Sequence, residues 1–157
     1  MSRSGRKAQT SLEALIIMGI IMFGAVVIVP NYISINTGAS ILSMVRSSAG
    51  IACSYLNMGV AVRGGGYNYS SLNALLDSGV KYNLRLKSVR YSEINGTIYI
   101  AVNITSFGAI SDVNAVETGI LNFIRAYLVK HSSARIVNGD VVYNGEGIII
   151  TVEVRVE

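Results

Sequence analysis

The hydrophobic pattern separates an uncharged N-terminal stretch from a mixed remainder. No charged residue occurs between Glu13 and Arg46, and residues 14–29, with the sequence ALIIMGIIMFGAVVIV, are entirely apolar or glycine. As a helix, this stretch extended to Ile33 is about 30 Å long, which is the thickness of a bilayer core. The pattern therefore predicts a membrane-competent helix, and the basic residues before it predict a cytoplasmic N-terminus.

Beyond this stretch the pattern becomes that of an amphipathic helix. Apolar residues recur at steps of three and four, the spacing of one helical face: Ile41, Val45, Ala49, Ala52, Leu56 and Val60. Pro30 removes one backbone donor, so it predicts a kink and not an end. Because the glycine run at 64–66 is a strong stop signal, we expect one helix from about residue 10 to residue 62.

Residues 67–157 carry the pattern of a compact α+β domain. Ser70 or Ser71 is placed to cap a short helix that continues through Leu76. Apolar and polar residues alternate over 80–87, which predicts a strand buried on one face.

Asn-Gly pairs mark the turns of this domain. Asn95-Gly96 predicts a hairpin, and Asn138-Gly139 and Asn144-Gly145 separate three closing strands. Ser111 is predicted to cap a helix over residues 112–131. The predicted apolar face of this helix consists of Val113, Val116, Ile120, Ile124, Tyr127 and Leu128. We therefore expect an antiparallel sheet with one or two helices, packed against the second half of the long N-terminal helix.

Composition limits the classes of function. Apolar residues make up 51% of the 157 and charged residues 14%, which excludes a disordered chain. The net charge is +4, but three basic residues precede the apolar run: Arg3, Arg6 and Lys7. Without them the balance is +1, so we expect no specific nucleic-acid partner. The basic positions 81, 85 and 87 are interpreted as a solvated strand face.

The residues that most often carry chemistry predict no metal site, cofactor or catalytic centre. Cys53 is the one cysteine, which excludes an intrachain disulfide, and we interpret it as a buried small hydrophobe. His131 is the one histidine and is placed as a cation at a helix C-terminus. Asp77, Asp112 and Asp140 lack the spacing of metal ligands.

The most informative motif is RKAQTSLE at residues 6–13, directly before the apolar run. Its unusual member is Glu13, because a carboxylate at the centre of a membrane costs about 2.5–3.5 kcal/mol. A basic residue, a small residue and then Gln-x-Ser-x-Glu before an apolar helix resembles the class III signal peptide of archaeal type IV pilins. The motif resemblance covers about residues 6–30, and the layout of a long helix followed by a globular head is similar to that of pilins over the whole chain.

This resemblance implies a cleavage site and a division of the chain. A membrane-embedded prepilin peptidase would cut beside Lys7, between Ala8 and Gln9, and would leave the apolar helix in the mature protein. The chain would then consist of a leader of residues 1–8, a long helix of residues 9–63 and a globular α+β head of residues 67–157.

The resemblance also implies how the protein assembles. Gln9 would carry the new α-amine, which meets the Glu13 carboxylate of a neighbouring subunit, and Pro30 matches the proline of bacterial type IV pilins. The partners implied are other pilin subunits, the peptidase, an assembly ATPase and a membrane platform protein. The precursor would lie in the cell membrane, and the product would be a non-enzymatic structural subunit of a surface filament for adhesion or surface attachment.

Three N-glycosylation sequons begin at Asn68, Asn95 and Asn103. The resemblance implies a glycoprotein, because archaeal pilins often carry N-linked glycans. Asn68 follows the glycine run and is predicted to be the best exposed of the three, whereas Asn95 lies in a predicted turn.

Other interpretations of the N-terminus stay open at this point. One is a membrane anchor that carries an extracytoplasmic binding domain and does not polymerise. Another is an ordinary secretory signal, cut after Thr37-Gly38-Ala39, which would release a secreted domain that begins at Ser40. Neither explains Glu13, and an enzyme is the remaining alternative.

Overall fold

A computed structural model gives the chain an α+β fold, the class that the sequence predicts. The backbone is described for residues 3–63, 68–77 and 79–157, and side chains for 13–28, 37–63, 68–77 and 79–157. The described helices are α1 (Arg3–Met58), α2 (Ser70–Leu76) and α3 (Val113–His131). The strands are β1 (Leu84–Ile94), β2 (Thr97–Ser106), β3 (Arg135–Val137), β4 (Asp140–Tyr143) and β5 (Glu146–Val156).

The chain divides into two compact units, Met1–Thr37 and Gly38–Glu157. The first unit contains the N-terminal part of α1 with its run of apolar residues. The second contains the end of α1, the shorter helices and the whole sheet. The packed core therefore belongs to the second unit.

The sheet is mixed, so the predicted purely antiparallel sheet is wrong. The strand order is β1-β2-β5-β4-β3, and the two central strands, β2 and β5, run parallel. The other pairs are antiparallel. Because α3 carries the chain from the end of β2 to the far edge, the β3–β4–β5 meander returns with β5 in the direction of β2.

The three Asn-Gly turns are confirmed. Asn95, Asn138 and Asn144 have φ of 51–53°, and the glycine after each has φ of 72–91°. Two consecutive residues with positive φ are typical of the type I′ turn, whose twist suits a two-residue hairpin. These turns set the registers of β1 with β2, of β3 with β4 and of β4 with β5.

Helix α1 ends earlier than the glycine run at 64–66, which lies outside the described residues. Met58 is its last residue, four before the predicted end. Gly59 has φ of +67°, and its N–H donates to the carbonyl of Leu56 at 3.2 Å. A glycine in the left-handed region commonly ends a helix. Here it ends α1 although the apolar pattern of the helix continues to Val60.

The predicted caps of the two short helices are wrong in detail. Asp112, and not Ser111, caps α3, since its carboxylate accepts from the N–H of Ala115 at 2.9 Å. The N-cap of α2 is Tyr69, which makes no side-chain capping bond, so neither candidate serine has that role. Both errors lie within one or two residues of a correctly predicted helix.

One apolar core joins α1, α2 and α3 to one face of the sheet. The predicted face of α1 is fully buried from Ile41 to Leu56, but Val60 at its end is 64% exposed because the helix has already stopped. Alternate residues of β2 supply the centre of the core: Ile98, Ile100, Val102 and Ile104. Four residues of the predicted face of α3 are buried, namely Val116, Ile120, Ile124 and Leu128, whereas Val113 and Tyr127 are half-buried.

Two side chains near the end of α1 fix the chain that follows it. Asn57 brackets the first residue of β1: its Nδ2 donates to the Leu84 carbonyl at 2.8 Å, and its Oδ1 accepts from the Leu84 N–H at 2.7 Å. The Tyr55 hydroxyl donates to Asn73 Oδ1 of α2 and accepts from the Val62 N–H at 2.6 Å. These bonds hold α2 and the first residue of β1 against the end of α1.

Helix α3 approaches α2 closely at a glycine, and this contact predicts a specific stability effect. A Cβ on Gly119 would lie 2.7 Å from Leu75 Cδ1 and 3.2 Å from the Ser71 carbonyl oxygen. A Cβ on Gly50, in α1, would have no such neighbour within 4 Å, so Gly50 is a matched control. Gly50→Ala is expected to raise the free energy of unfolding by up to about 1 kcal/mol.

The free energy of unfolding of Gly119→Ala is expected to be about 1–3 kcal/mol lower than that of Gly50→Ala. The reason is that the added methyl group displaces a packed neighbour at position 119 but not at position 50. Urea unfolding followed by circular dichroism, with the full chain in mild detergent, measures the difference. Equal stability of the two variants would show that α2 yields freely and that the contact carries no packing energy.

Candidate functional site

The N-terminal part of α1 presents apolar side chains around its whole circumference. From Leu15 to Ile28 the large apolar residues are 51–73% exposed, and Glu13 is exposed at the head of this segment. A helix that is hydrophobic on all sides is normally surrounded by other apolar groups. We call residues 13–28 the apolar segment.

In the part of the chain whose side chains are described, no helix has a stretch that is both long enough and apolar enough to cross a membrane.

Four residues predicted to act in processing or assembly have side chains outside the described residues: Lys7, Ala8, Gln9 and Pro30. Their predicted roles stay predictions. Glu13, the fifth residue predicted to act in processing or assembly, has a described side chain and begins the apolar segment.

The three sequons differ in geometry. Asn68 is exposed, and its Oδ1 accepts from the Ser70 N–H at 3.2 Å. Asn95 is exposed in the β1–β2 turn with φ of 53°. Asn103 lies on β2 and is half-buried; its Nδ2 donates to Ser88 Oγ at 3.1 Å.

This geometry predicts which sequons accept a glycan in a host that modifies such sites. Asn68 and Asn95 are expected to be modified, whereas Asn103 is expected to remain free because its amide is engaged and Thr105 of the same sequon is only 4% exposed. Peptide mass spectrometry of protein from the native host measures the occupancy of each site. A glycan on Asn103 with none on Asn68 would contradict this ranking.

The face of the sheet opposite the core forms a surface that the sequence does not reveal. In register across β1, β2 and β5 lie three rows of side chains: Ser92, Tyr99 and Ile149; Arg90, Ala101 and Thr151; Ser88, Asn103 and Glu153. We call these nine residues the outer rows. They line two adjoining open grooves of about 460 and 330 Å³, which share Arg90 and Ala101.

The charges on this face are partly paired. Lys87 Nζ lies 3.3 Å from Glu157 Oε1, and Arg155 Nη2 lies 2.8 Å from Glu153 Oε1. Arg85 and Arg90 form no ion pair with any carboxylate among the described residues. The face therefore keeps two guanidinium groups whose charge is not offset by direct contact. Position 81, predicted to share a strand with 85 and 87, lies before β1 begins.

Cys53 and His131, the other candidate residues, lie in surroundings typical of residues that contribute to packing. Cys53 is 4% exposed, and burial raises the pKa of its thiol to about 11, so the reactive thiolate is scarce at neutral pH. The His131 ring lies 4.4 Å from the Tyr127 ring at the end of α3. Within the described residues, no group of three or more His, Cys, Asp or Glu side chains is arranged to hold a metal ion.

Comparison of the chain with family models, with curated proteins and with solved structures gives no match.

Proposed function

We propose that this chain is a structural subunit, a major or minor pilin, of an archaeal type IV pilus-like surface filament. The observation that carries the proposal is the apolar segment, exposed on every side and headed by Glu13, which is the last residue of the motif at residues 6–13. A filament core of neighbouring helices supplies the apolar surroundings that this segment requires. The second unit, with its separate packed core, is the part that the filament displays.

Processing prepares the segment for assembly. Cleavage between Ala8 and Gln9 removes all the basic residues that precede the apolar run: Arg3, Arg6 and Lys7. These charges hold the N-terminus of the precursor on the cytoplasmic side of the membrane. Their loss leaves one new α-amine, four positions before Glu13, and lets the helix move from lipid into another apolar environment.

The Glu13 carboxylate then sets the subunit register. In the filament core it pairs with the Gln9 amine of a neighbouring subunit. In surroundings of low dielectric constant an unpaired charge is costly, so subunits that are out of register are disfavoured. The chain supplies structure and no chemistry in this process; the peptidase, the assembly ATPase and the membrane platform protein act on it.

Electron microscopy of the native host with gold-labelled antibodies to the second unit tests the proposal. We expect gold particles along thin surface filaments, and no such filaments when the gene is deleted. Label spread over the cell envelope would instead indicate a membrane-anchored binding domain. Label confined to the culture medium would indicate a secreted domain, and either result would overturn the proposal.

A further inference from the structure

The outer rows form a graded surface across the sheet. At the hairpin end, Tyr99 and Ile149 are neighbours in register and are 38% and 41% exposed. In the next row the small side chains of Ala101 and Thr151 make a low floor beside Arg90. The third row carries the amide of Asn103 and the carboxylate of Glu153. The surface therefore changes from apolar to polar within three rows.

We propose that the outer rows bind an acidic oligosaccharide, a chain of sugar units that bear carboxylates. A sugar ring has an apolar face of C–H groups and a rim of hydroxyls, and both features have a counterpart here. The Tyr99 ring and Ile149 offer an apolar platform, while Asn103, Glu153 and Thr151 offer hydrogen-bond donors and acceptors for hydroxyls. The two grooves together fall within the size range of ligand sites.

Charge selects an acidic sugar over a neutral one. Glu153 and Glu157 are each neutralised by a basic neighbour, whereas Arg85 and Arg90 keep uncompensated charge on the same face. A guanidinium binds a carboxylate through two parallel hydrogen bonds, which adds geometric selectivity to the attraction. Arg90 lines both grooves and is the residue placed to receive that carboxylate.

The same features disfavour a nucleic acid. Binding of single strands uses successive aromatic platforms along a continuously basic track. Among the nine residues of the outer rows Tyr99 is the one aromatic side chain and Arg90 the one basic side chain, so they form neither successive platforms nor a basic track. Sugar hydroxyls can donate to the Glu153 carboxylate, whereas a phosphodiester has no hydrogen-bond donor to offer it.

Isothermal titration of the full chain in detergent, made in a host without N-glycosylation, tests the inference. The probes are tetragalacturonate, neutral maltotetraose and a thymidine hexanucleotide. We expect tetragalacturonate to bind more tightly than either of the others. Arg90→Gln is expected to weaken that binding about 10- to 100-fold, the loss of a charged hydrogen-bonded contact.

Arg46→Gln is the matched control, since it removes the same charge from the exposed side of α1 and is expected to leave the affinity unchanged. Tyr99→Thr, which keeps strand propensity, is expected to weaken binding about threefold to tenfold. Absence of tetragalacturonate binding, equal losses in the two arginine variants, or tighter binding of the hexanucleotide would each overturn the inference. None of these measurements requires a filament, so the result stands apart from the proposed function.

Discussion

Glu13→Gln protein is expected to be cleaved and to fold normally, yet to form no filaments. If the carboxylate belonged only to a membrane anchor, the change would be neutral or would favour insertion, because an amide is cheaper to bury than a charge. If it pairs with the Gln9 amine of a neighbour, the variant leaves that amine buried without a partner. Breaking a buried pair in this way costs about 3–5 kcal/mol, and the cost recurs at every subunit contact.

Glu157→Gln is the matched control for this experiment. It makes the same change on the second unit, at an exposed carboxylate paired with Lys87, and is expected to leave filament assembly intact. Electron microscopy of cells that express a single variant supplies the comparison. Abundant Glu13→Gln filaments of ordinary length would show that the carboxylate does not set the subunit register.

Phe123→Ala is expected to lower the free energy of unfolding by about 3–5 kcal/mol, the range for deletion of a buried aromatic ring. Phe123 is 1% exposed, and its ring stacks on Tyr69 at 5.5 Å between centroids. Tyr69, which directly precedes α2, also stacks on Tyr55 at 4.2 Å between centroids. The Tyr69 ring therefore connects α3 to the end of α1. Removing the Phe123 ring leaves a cavity and interrupts this column of rings.

Phe107→Ala is the control of identical chemistry. Phe107 is 48% exposed, and its replacement is expected to change the free energy of unfolding by less than about 1 kcal/mol. Urea unfolding of both variants beside the unaltered chain, in the same detergent, measures the two effects. Similar losses for the two residues would show that the column of rings does not hold the second unit together.

Local features of the fold are predictable from this sequence because they depend on neighbouring residues. An Asn-Gly pair adopts positive φ with little regard to distant contacts, so the three hairpin turns are found. The apolar spacing of α3 identifies four of its buried residues, Val116, Ile120, Ile124 and Leu128, but not Gly119 or Phe123. Gly59 is an equally local signal for the end of α1. The predicted end lies later because the run of three glycines five residues on is the stronger signal.

Long-range pairing is not predictable in the same way. The parallel contact of β2 with β5 joins residues about fifty positions apart, and the residue pattern of each strand is compatible with several partners. The outer rows exist only once three strands are in register, so Arg90, Ala101 and Thr151 have no shared signature in the sequence. Asn57 likewise gains its role at Leu84 from the tertiary fold.

For the candidate assembly site, the sequence is more informative than the tertiary fold. Its evidence lies mainly in the motif at residues 6–13, and the fold adds that the large apolar residues from Leu15 to Ile28 are 51–73% exposed. Both observations support the proposal that the helix packs against apolar groups of other molecules.

The central claim is that the chain is a processed filament subunit, and the mass of its N-terminal peptide tests this most directly. Protein sheared from the surface of native cells and digested for mass spectrometry is expected to begin at Gln9. A mature chain that begins at Ser40 would indicate a secreted domain. A chain that keeps Met1 or Ser2 would indicate an uncut anchor, and either result would contradict the filament account.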